Sequence, residues 1–145
     1  MQLKKMMVSL GVLVCLCANF SAVAYANTAT TFSDYGISVA YEIADSPIST
    51  LSIIGRTAYC DSSTTGTNAI SITVTQTLQK YWGLWIWTDV KDAVWTEKAN
   101  CNSISVSKSK SGLENGTYRL KSVFTLTNKD GKSETITIYS NEKVV

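Results

Sequence analysis

The chain has 145 residues, with 13 basic and 11 acidic side chains, four cysteines, four tryptophans and no histidine. Removal of the first 26 residues as an export signal takes Lys4 and Lys5 away and leaves 119 residues with no net charge. This balance argues against a nucleic-acid partner, and the length excludes a multidomain enzyme.

Residues 1–26 have the three parts of a secretory signal peptide. A positively charged start precedes an apolar run over 6–18, and the small residues Ala24 and Ala26 follow. The apolar run is shorter than the roughly 20 residues that span a bilayer. The sequence therefore predicts cleavage near Ala26 and secretion into an oxidising environment, with no transmembrane span in the mature form. An uncleaved membrane anchor is the alternative.

Residues 27–145 are predicted to form a single domain, because no linker, charge block or repeat divides them. They contain 11 Ile, 8 Val and 18 Thr against 6 Leu and no Met, which favours strands over helices. Apolar and polar residues alternate with period two, the pattern of half-buried antiparallel strands. Seven strands are predicted, over residues 36–43, 51–60, 68–81, 85–95, 101–108, 117–127 and 134–141.

Turn signals support this interpretation. Asn115-Gly116 and Asp130-Gly131 are dipeptides that favour tight hairpin turns. Seven short antiparallel strands in about 110 residues predict an all-β, two-sheet sandwich of immunoglobulin or fibronectin type III character. A small closed barrel has the same sequence pattern and is the alternative.

Two cysteines, Cys60 and Cys101, remain after the predicted cleavage. In an exported chain the default expectation is a disulfide between them. Cys60 ends the second predicted strand and Cys101 begins the fifth, and these strands are antiparallel neighbours in an immunoglobulin-like sandwich. The alternation of apolar residues points both cysteines outward, which predicts a staple on the outer face. A redox or nucleophilic cysteine is the alternative.

The residue types needed for common catalytic sites are missing or scattered. Without histidine there is no Ser-His-Asp triad, Cys-His dyad or imidazole-rich zinc site. No pair of acidic residues is singled out by spacing, and Asp130-Gly131 lacks the flanking oxygen ligands of a calcium loop. The sequence therefore predicts neither an enzyme nor a bound metal or cofactor.

All four tryptophans lie within fourteen residues of one predicted hairpin. They cannot all face the core, because leucine and isoleucine take the alternate positions among them. Trp82 and Trp85, near the expected turn at Gly83, are predicted to be exposed and to form a candidate binding face with Tyr81. Trp95, and with it Trp87, is expected to have a structural role.

Parts of this region resemble a known family. The residues that carry the resemblance are Leu78-Gln79-Lys80-Tyr81, Trp87, Val90, Trp95 and Gly116-Thr117-Tyr118-Arg119. They are similar to a pattern in small exported proteins of Gram-positive bacteria, a family catalogued as a domain of unknown function. The resemblance implies export, a β-sandwich-like domain and one disulfide, and it supplies no activity. The chain departs from the pattern between Tyr81 and Trp87, where members usually have polar turn residues.

These observations favour a secreted, non-catalytic binding or interaction module. It is expected to act at the cell envelope, on a polysaccharide or on a protein partner. The alternative is a secreted peptide effector, such as a toxin or bacteriocin, that acts on membranes. The absence of net charge and of a basic amphipathic helix in the sequence weighs against that alternative.

Overall fold

The computed structural model of the protein describes residues 41–145. The predicted signal peptide 1–26 and most of the predicted first strand 36–43 lie outside these residues. Residues 41–145 contain eight strands and no helix. The strands are β1 (Ala44–Ile54), β2 (Thr57–Gly66), β3 (Ala69–Gly83), β4 (Ile86–Ala99), β5 (Ser103–Lys110), β6 (Thr117–Asn128), β7 (Ser133–Tyr139) and β8 (Lys143–Val144).

The strands pair in two antiparallel sheets. One sheet has the order β1-β2-β5, and the other has the order β4-β3-β6-β7, with the short β8 paired to the start of β6. The two sheets are separate ladders rather than one closed sheet, and their inner faces enclose the core. The predicted sandwich of immunoglobulin or fibronectin type III character is therefore confirmed.

Five predicted strands correspond closely to β3, β4, β5, β6 and β7. The predicted strand 51–60 is wrong, because the chain reverses at Gly55, where φ is 58°, and forms the β1–β2 hairpin there. A single glycine within an apolar run is an ambiguous signal, since it is equally compatible with a bulge. The predicted turn at Asp130-Gly131 joins β6 to β7, whereas Asn115-Gly116 lies in the connection that crosses from β5 to the opposite sheet.

The core is divided into two apolar clusters by a layer of polar side chains. The first core cluster contains Ile43, Ala44, Ala69, Ile72, Val74, Ala99, Ile104, Val106, Phe124, Leu126 and Ile136. The second core cluster contains Leu51, Ala58, Cys60, Leu78, Ala93, Leu113, Tyr118 and Leu120. Between them along the strands lie the residues of the polar layer, Ser49, Ser62, Gln76 and Ser122.

The polar layer joins the two sheets by hydrogen bonds. Gln76 Nε2 on β3 donates to Ser62 Oγ at 2.7 Å and to the carbonyls of Cys60 and Val106 at 3.2 Å. The hydroxyls of Ser62 and Ser122 lie 2.6 Å apart, so β2 is also bonded to β6. These buried bonds require a specific register between the sheets, which apolar contacts alone do not specify.

A carboxylate fastens the start of β1 to the opposite sheet. The Glu134 side chain on β7 accepts hydrogen bonds from the backbone N–H groups of Glu42, Ile43 and Ala44 at 2.9–3.0 Å. Desolvation by itself raises the pKa of Glu134, but the bonds from these three N–H groups outweigh it and hold that pKa below its ordinary value. Glu134 therefore stabilises the folded state in its ionised form.

We expect Glu134→Gln to lower the free energy of unfolding by about 1–2 kcal/mol near neutral pH, because the amide offers a single uncharged acceptor. The folded-state pKa is lowered, so the wild-type contribution is complete above the unfolded pKa of about 4.3 and is lost as the pH falls through the folded value. Urea unfolding at neutral and acid pH measures this difference. Equal sensitivity of both proteins to acid would contradict the assignment, and Glu142→Gln, at an exposed position, is the control.

Candidate functional site

The β3–β4 hairpin extends beyond the rest of its sheet. The last pair between β3 and β6 is Lys80 with Tyr118, whereas β3 remains paired with β4 as far as Gly83 with Ile86. Residues 81–86, here called the hairpin tip, therefore extend past the start of β6 and are paired only within the β3–β4 hairpin. At 3.3 Å per residue the tip extends about 10 Å past the last β3–β6 pair.

The hairpin tip is apolar and exposed. Trp82, Leu84 and Trp85 are 77%, 88% and 91% exposed, and Ile86 and Tyr81 are also exposed, at 50% and 37%. The predicted binding-face residues Tyr81, Trp82 and Trp85 thus lie together on this tip. Leu84 and Ile86, which were not among the predicted binding-face residues, belong to the same surface.

The tip closes with a strained turn. Leu84 and Trp85 have φ values of 49° and 66°, so both central residues of the two-residue loop are left-handed, as in a type I′ turn. Such turns favour Asn-Gly, and a left-handed residue other than glycine costs about 1–2 kcal/mol. The turn also lies beyond Gly83, where the sequence predicted it. The chain therefore places two large apolar side chains in solvent in an unfavourable backbone conformation.

A row of side chains in contact supports the tip on the outer face of the sheet. The ring centroids of Tyr81 and Trp87 are 5.2 Å apart, and the guanidinium of Arg119 lies 4.1 Å from the ring centre of Trp87 and 4.2 Å from that of Tyr139. We call these four residues the aromatic–arginine ladder. The backbone N–H of Trp85 donates to the hydroxyl of Tyr81 at 3.3 Å, which connects the ladder to the turn.

A bulge in β4 gives Trp87 and Trp95 different environments. Between the pairs Thr77–Val94 and Gln79–Asp89, β4 has three more residues than β3, so the alternation of its side chains is reversed. Trp87 consequently lies on the outer face, whereas Trp95 is half-buried against the second core cluster. This packing fits the structural role that is expected for Trp95. Trp87 instead contributes to the ladder, and no local pattern in the sequence marked the bulge.

The predicted disulfide between Cys60 and Cys101 is absent, and this prediction is corrected. Cys60 lies near the start of β2, opposite Lys108. Cys101 precedes β5 by two residues, and the first residue of β5, Ser103, is paired with Thr65. Five residues of strand separate these positions, or about 17 Å, and disulfides require Cα atoms within about 7 Å. The predicted outward orientation is also wrong for Cys60, which is fully buried in the second core cluster. The error followed from the unrecognised turn at Gly55.

We expect the Cys60 thiol to be unreactive in the folded protein. Burial, with a smaller contribution from the Asp61 carboxylate, raises the pKa of this thiol to about 12. Because the thiolate is the reactive form, a thiol reagent at mildly alkaline pH should label Cys60 only after denaturation. The measurement uses the mature chain with Cys101→Ser, so that Cys60 supplies the signal. Rapid labelling of the native chain, or a peptide that links Cys60 to Cys101 in the wild type, would contradict this arrangement.

A cleft of about 360 Å³ lies beside the base of the tip, between the β4 bulge and the connection from β5 to β6. The Lys80 ammonium and the Glu114 carboxylate form an ion pair of 2.8 Å at this cleft. Their hydrogen bond raises the pKa of Lys80 and lowers that of Glu114. Within residues 41–145 no three His, Cys, Asp or Glu side chains cluster so that they could hold a metal ion. The exposed apolar tip, where the predicted binding-face residues lie together, is the candidate site.

Comparison with known proteins does not assign this site. No protein-family model matches the chain, and no curated protein matches it. The similarity to exported Gram-positive proteins thus stays a prediction. In the described residues, 41–145, there is no helix of the length and apolar character that crossing a membrane requires.

Proposed function

We propose that the protein is a secreted, non-catalytic binding module that acts at the cell envelope, and that the hairpin tip is its binding element. The observation that carries this proposal is the left-handed turn at Leu84 and Trp85, which are 88% and 91% exposed. A polysaccharide, a protein or another component of the envelope is the partner class that the sequence favours.

The conformation of the turn supports a functional role. Backbone strain is retained at sites where it contributes to function, and exposed apolar patches on monomers commonly mark interaction sites. Asn-Gly in place of Leu84 and Trp85 would relieve the strain and remove apolar surface from water, so the present residues do not serve stability. Contact with a partner would account for the exposed position of both side chains.

The aromatic–arginine ladder, on the outer face of the sheet below the turn, supports the same proposal. Arg119 lies between the rings of Trp87 and Tyr139, and its Nε donates to Gln79 Oε1 at 2.9 Å. The Gln79 amide in turn donates to Asp89 on β4 at 2.8 Å. These contacts hold the two strands below the tip in one geometry, so less conformational entropy is lost when a partner binds.

We expect the double substitution Leu84→Asn with Trp85→Gly to raise stability and abolish binding. Asn still has part of the left-handed cost, and Gly raises the conformational entropy of the unfolded chain, so the net increase in the free energy of unfolding should be about 1–2 kcal/mol. Loss of the exposed indole and leucine side chains should remove binding to isolated cell envelopes. Chemical denaturation and co-sedimentation with envelope preparations measure the two effects on the same samples.

A variant at the opposite end of β3 controls for a general loss of surface hydrophobicity. Ile70 is 53% exposed and lies far from the tip along the strand, so Ile70→Asn should leave envelope binding unchanged. Wild-type binding by the tip variant would disprove the tip as the binding element. A less stable tip variant would show that Leu84 and Trp85 serve the fold instead.

A further inference from the structure

We infer that the partner of the hairpin tip is the surface of a lipid bilayer, into whose interfacial region the tip inserts. This inference rests on the proposed function and names the component of the envelope that the tip contacts.

The most exposed large apolar side chains of residues 41–145 are at one end of the sandwich. Five of them are more than 70% exposed, namely Ile54, Trp82, Leu84, Trp85 and Val144. Ile54 lies at the β1–β2 turn, three belong to the tip, and Val144 is in β8, which pairs with the start of β6. Leu84 and Trp85 form the turn at the far end of the tip, so a flat apolar surface that approaches this end meets them first.

Hydrogen bonds to the connection from β5 to β6 hold the β1–β2 turn and the end of β8 in place. Arg56 donates from its guanidinium to the Leu113 carbonyl at 3.2 Å and to the Asn115 side chain at 3.1 Å. Gly116 and Val145 exchange two backbone hydrogen bonds, which join the chain end to the same connection. The β1–β2 turn and β8 therefore flank the base of the tip as fixed elements.

The shape and chemistry of the tip favour lipid over a carbohydrate or a small molecule. Binding sites for small molecules are concave, with a few convergent polar groups, whereas this tip projects outward. A sugar ring stacks on the face of an indole but gains little from the methyl groups of Leu84 and Ile86. Indole side chains are enriched where a membrane meets water, and aliphatic side chains favour the acyl region beneath. Trp82 and Trp85 beside Leu84 match that environment.

The length of the tip limits how deep it reaches. The tip extends about 10 Å, which is similar to the depth of roughly 5–10 Å to which interfacial segments enter the boundary between headgroups and acyl chains. The hydrocarbon core is about 30 Å thick, and an isolated two-stranded hairpin has unpaired backbone groups that cannot be satisfied there. The tip therefore docks in one leaflet and does not form a pore.

Charge contributes little to this docking. No residue from Tyr81 to Thr88 is charged. Of the neighbouring cations, Lys80 is paired with Glu114, and Arg119 is enclosed between two rings of the ladder. Lys91 and Lys110 share the cleft at the base of the tip with Asp89 and Asp92, and Lys143 on β8 follows Glu142, so the charges behind the tip are of both signs. Binding by apolar insertion is expected to be independent of salt and of anionic lipid, because screening acts on charges and not on buried apolar area.

The test is flotation of the purified mature protein with vesicles of phosphatidylcholine, and with vesicles that also contain phosphatidylglycerol. We expect the wild type to float with both, at low and high salt alike, with a blue shift of its tryptophan fluorescence. Leu84→Ala and Trp85→Ala should each lower the partition coefficient about tenfold, because each removes a side chain that is buried on docking. Ile70→Ala, at the far end of the same strand, should have no effect.

The other outcomes separate this inference from the proposed function. Tip-dependent binding to isolated cell-wall polysaccharide or to envelope protein, without flotation on vesicles, would disprove the lipid inference and leave the proposed function in place. If the wild type and the tip variants bind vesicles and whole envelopes equally well, both the lipid inference and the proposed function are disproved. Loss of flotation at high salt would overturn the apolar mechanism. Release of an entrapped dye would contradict shallow docking and favour the membrane-active effector.

Discussion

The substitution Gln76→Glu is expected to destabilise the protein by about 3–5 kcal/mol at neutral pH. Gln76 is fully buried, and its Nε2 makes the bonds to Ser62 and to the carbonyls of Cys60 and Val106. Its Oε1 has no hydrogen-bond partner in residues 41–145, so the amide acts through its N–H groups. A carboxylate keeps the shape of the side chain but places a buried charge opposite two carbonyl oxygens.

Acid should partly reverse this effect. Burial raises the folded-state pKa of a carboxyl group at position 76, so the protonated form is the one that folding favours. The loss of stability relative to wild type is then smallest below the unfolded pKa of about 4.3 and grows as the pH rises through the folded value. Urea unfolding across this range is the measurement. Thr73→Glu, on the opposite face of β3 and paired with Lys98, is the matched control and should be close to wild type.

Truncation of Tyr118 is expected to cause the second large loss of stability. Its ring is buried in the second core cluster, and its hydroxyl donates to the carbonyl of Glu114 four residues earlier, at 2.8 Å. This bond is the tyrosine corner of immunoglobulin-like sandwiches, which fixes the connection between the sheets at the start of β6. We expect Tyr118→Ala to lower the free energy of unfolding by about 3–5 kcal/mol, and Tyr118→Phe by about 1–2 kcal/mol.

The two Tyr118 substitutions separate ring packing from the hydrogen bond. Tyr59 on β2 points away from the core and is 42% exposed, so the same pair of substitutions there provides the control and should change stability by less than about 1 kcal/mol. Thermal or urea unfolding of the four variants gives both differences. A Tyr118→Phe variant as stable as wild type would mean that the corner bond does not hold the connection.

The hairpin tip shows why local rules predicted an exposed aromatic surface but not its conformation. The concentration of tryptophan near Gly83 predicted an exposed aromatic surface, because that many rings cannot all face one core. The turn nevertheless forms at Leu84 and Trp85, a pair that turn preferences disfavour. Arg119 and Tyr139 of the ladder are on other strands, and sequence alternation alone does not bring them beside Trp87.

The sequence by itself determined the class of the fold and the positions of β3 to β7, because strand periodicity and β-branched composition are local properties of each segment. It also determined which side of β6 faces the core, since Leu120, Phe124 and Leu126 share one face and alternate with polar residues except at Ser122 and Val123. Only the tertiary structure decided that Gly55 is a turn, that the β4 bulge separates Trp87 from Trp95, and that Cys60 is buried far from Cys101. These features depend on pairing register and on contacts between sheets. A shift of one residue, or a single bulge, reverses the facing of every side chain that follows, and no periodicity within one segment records it.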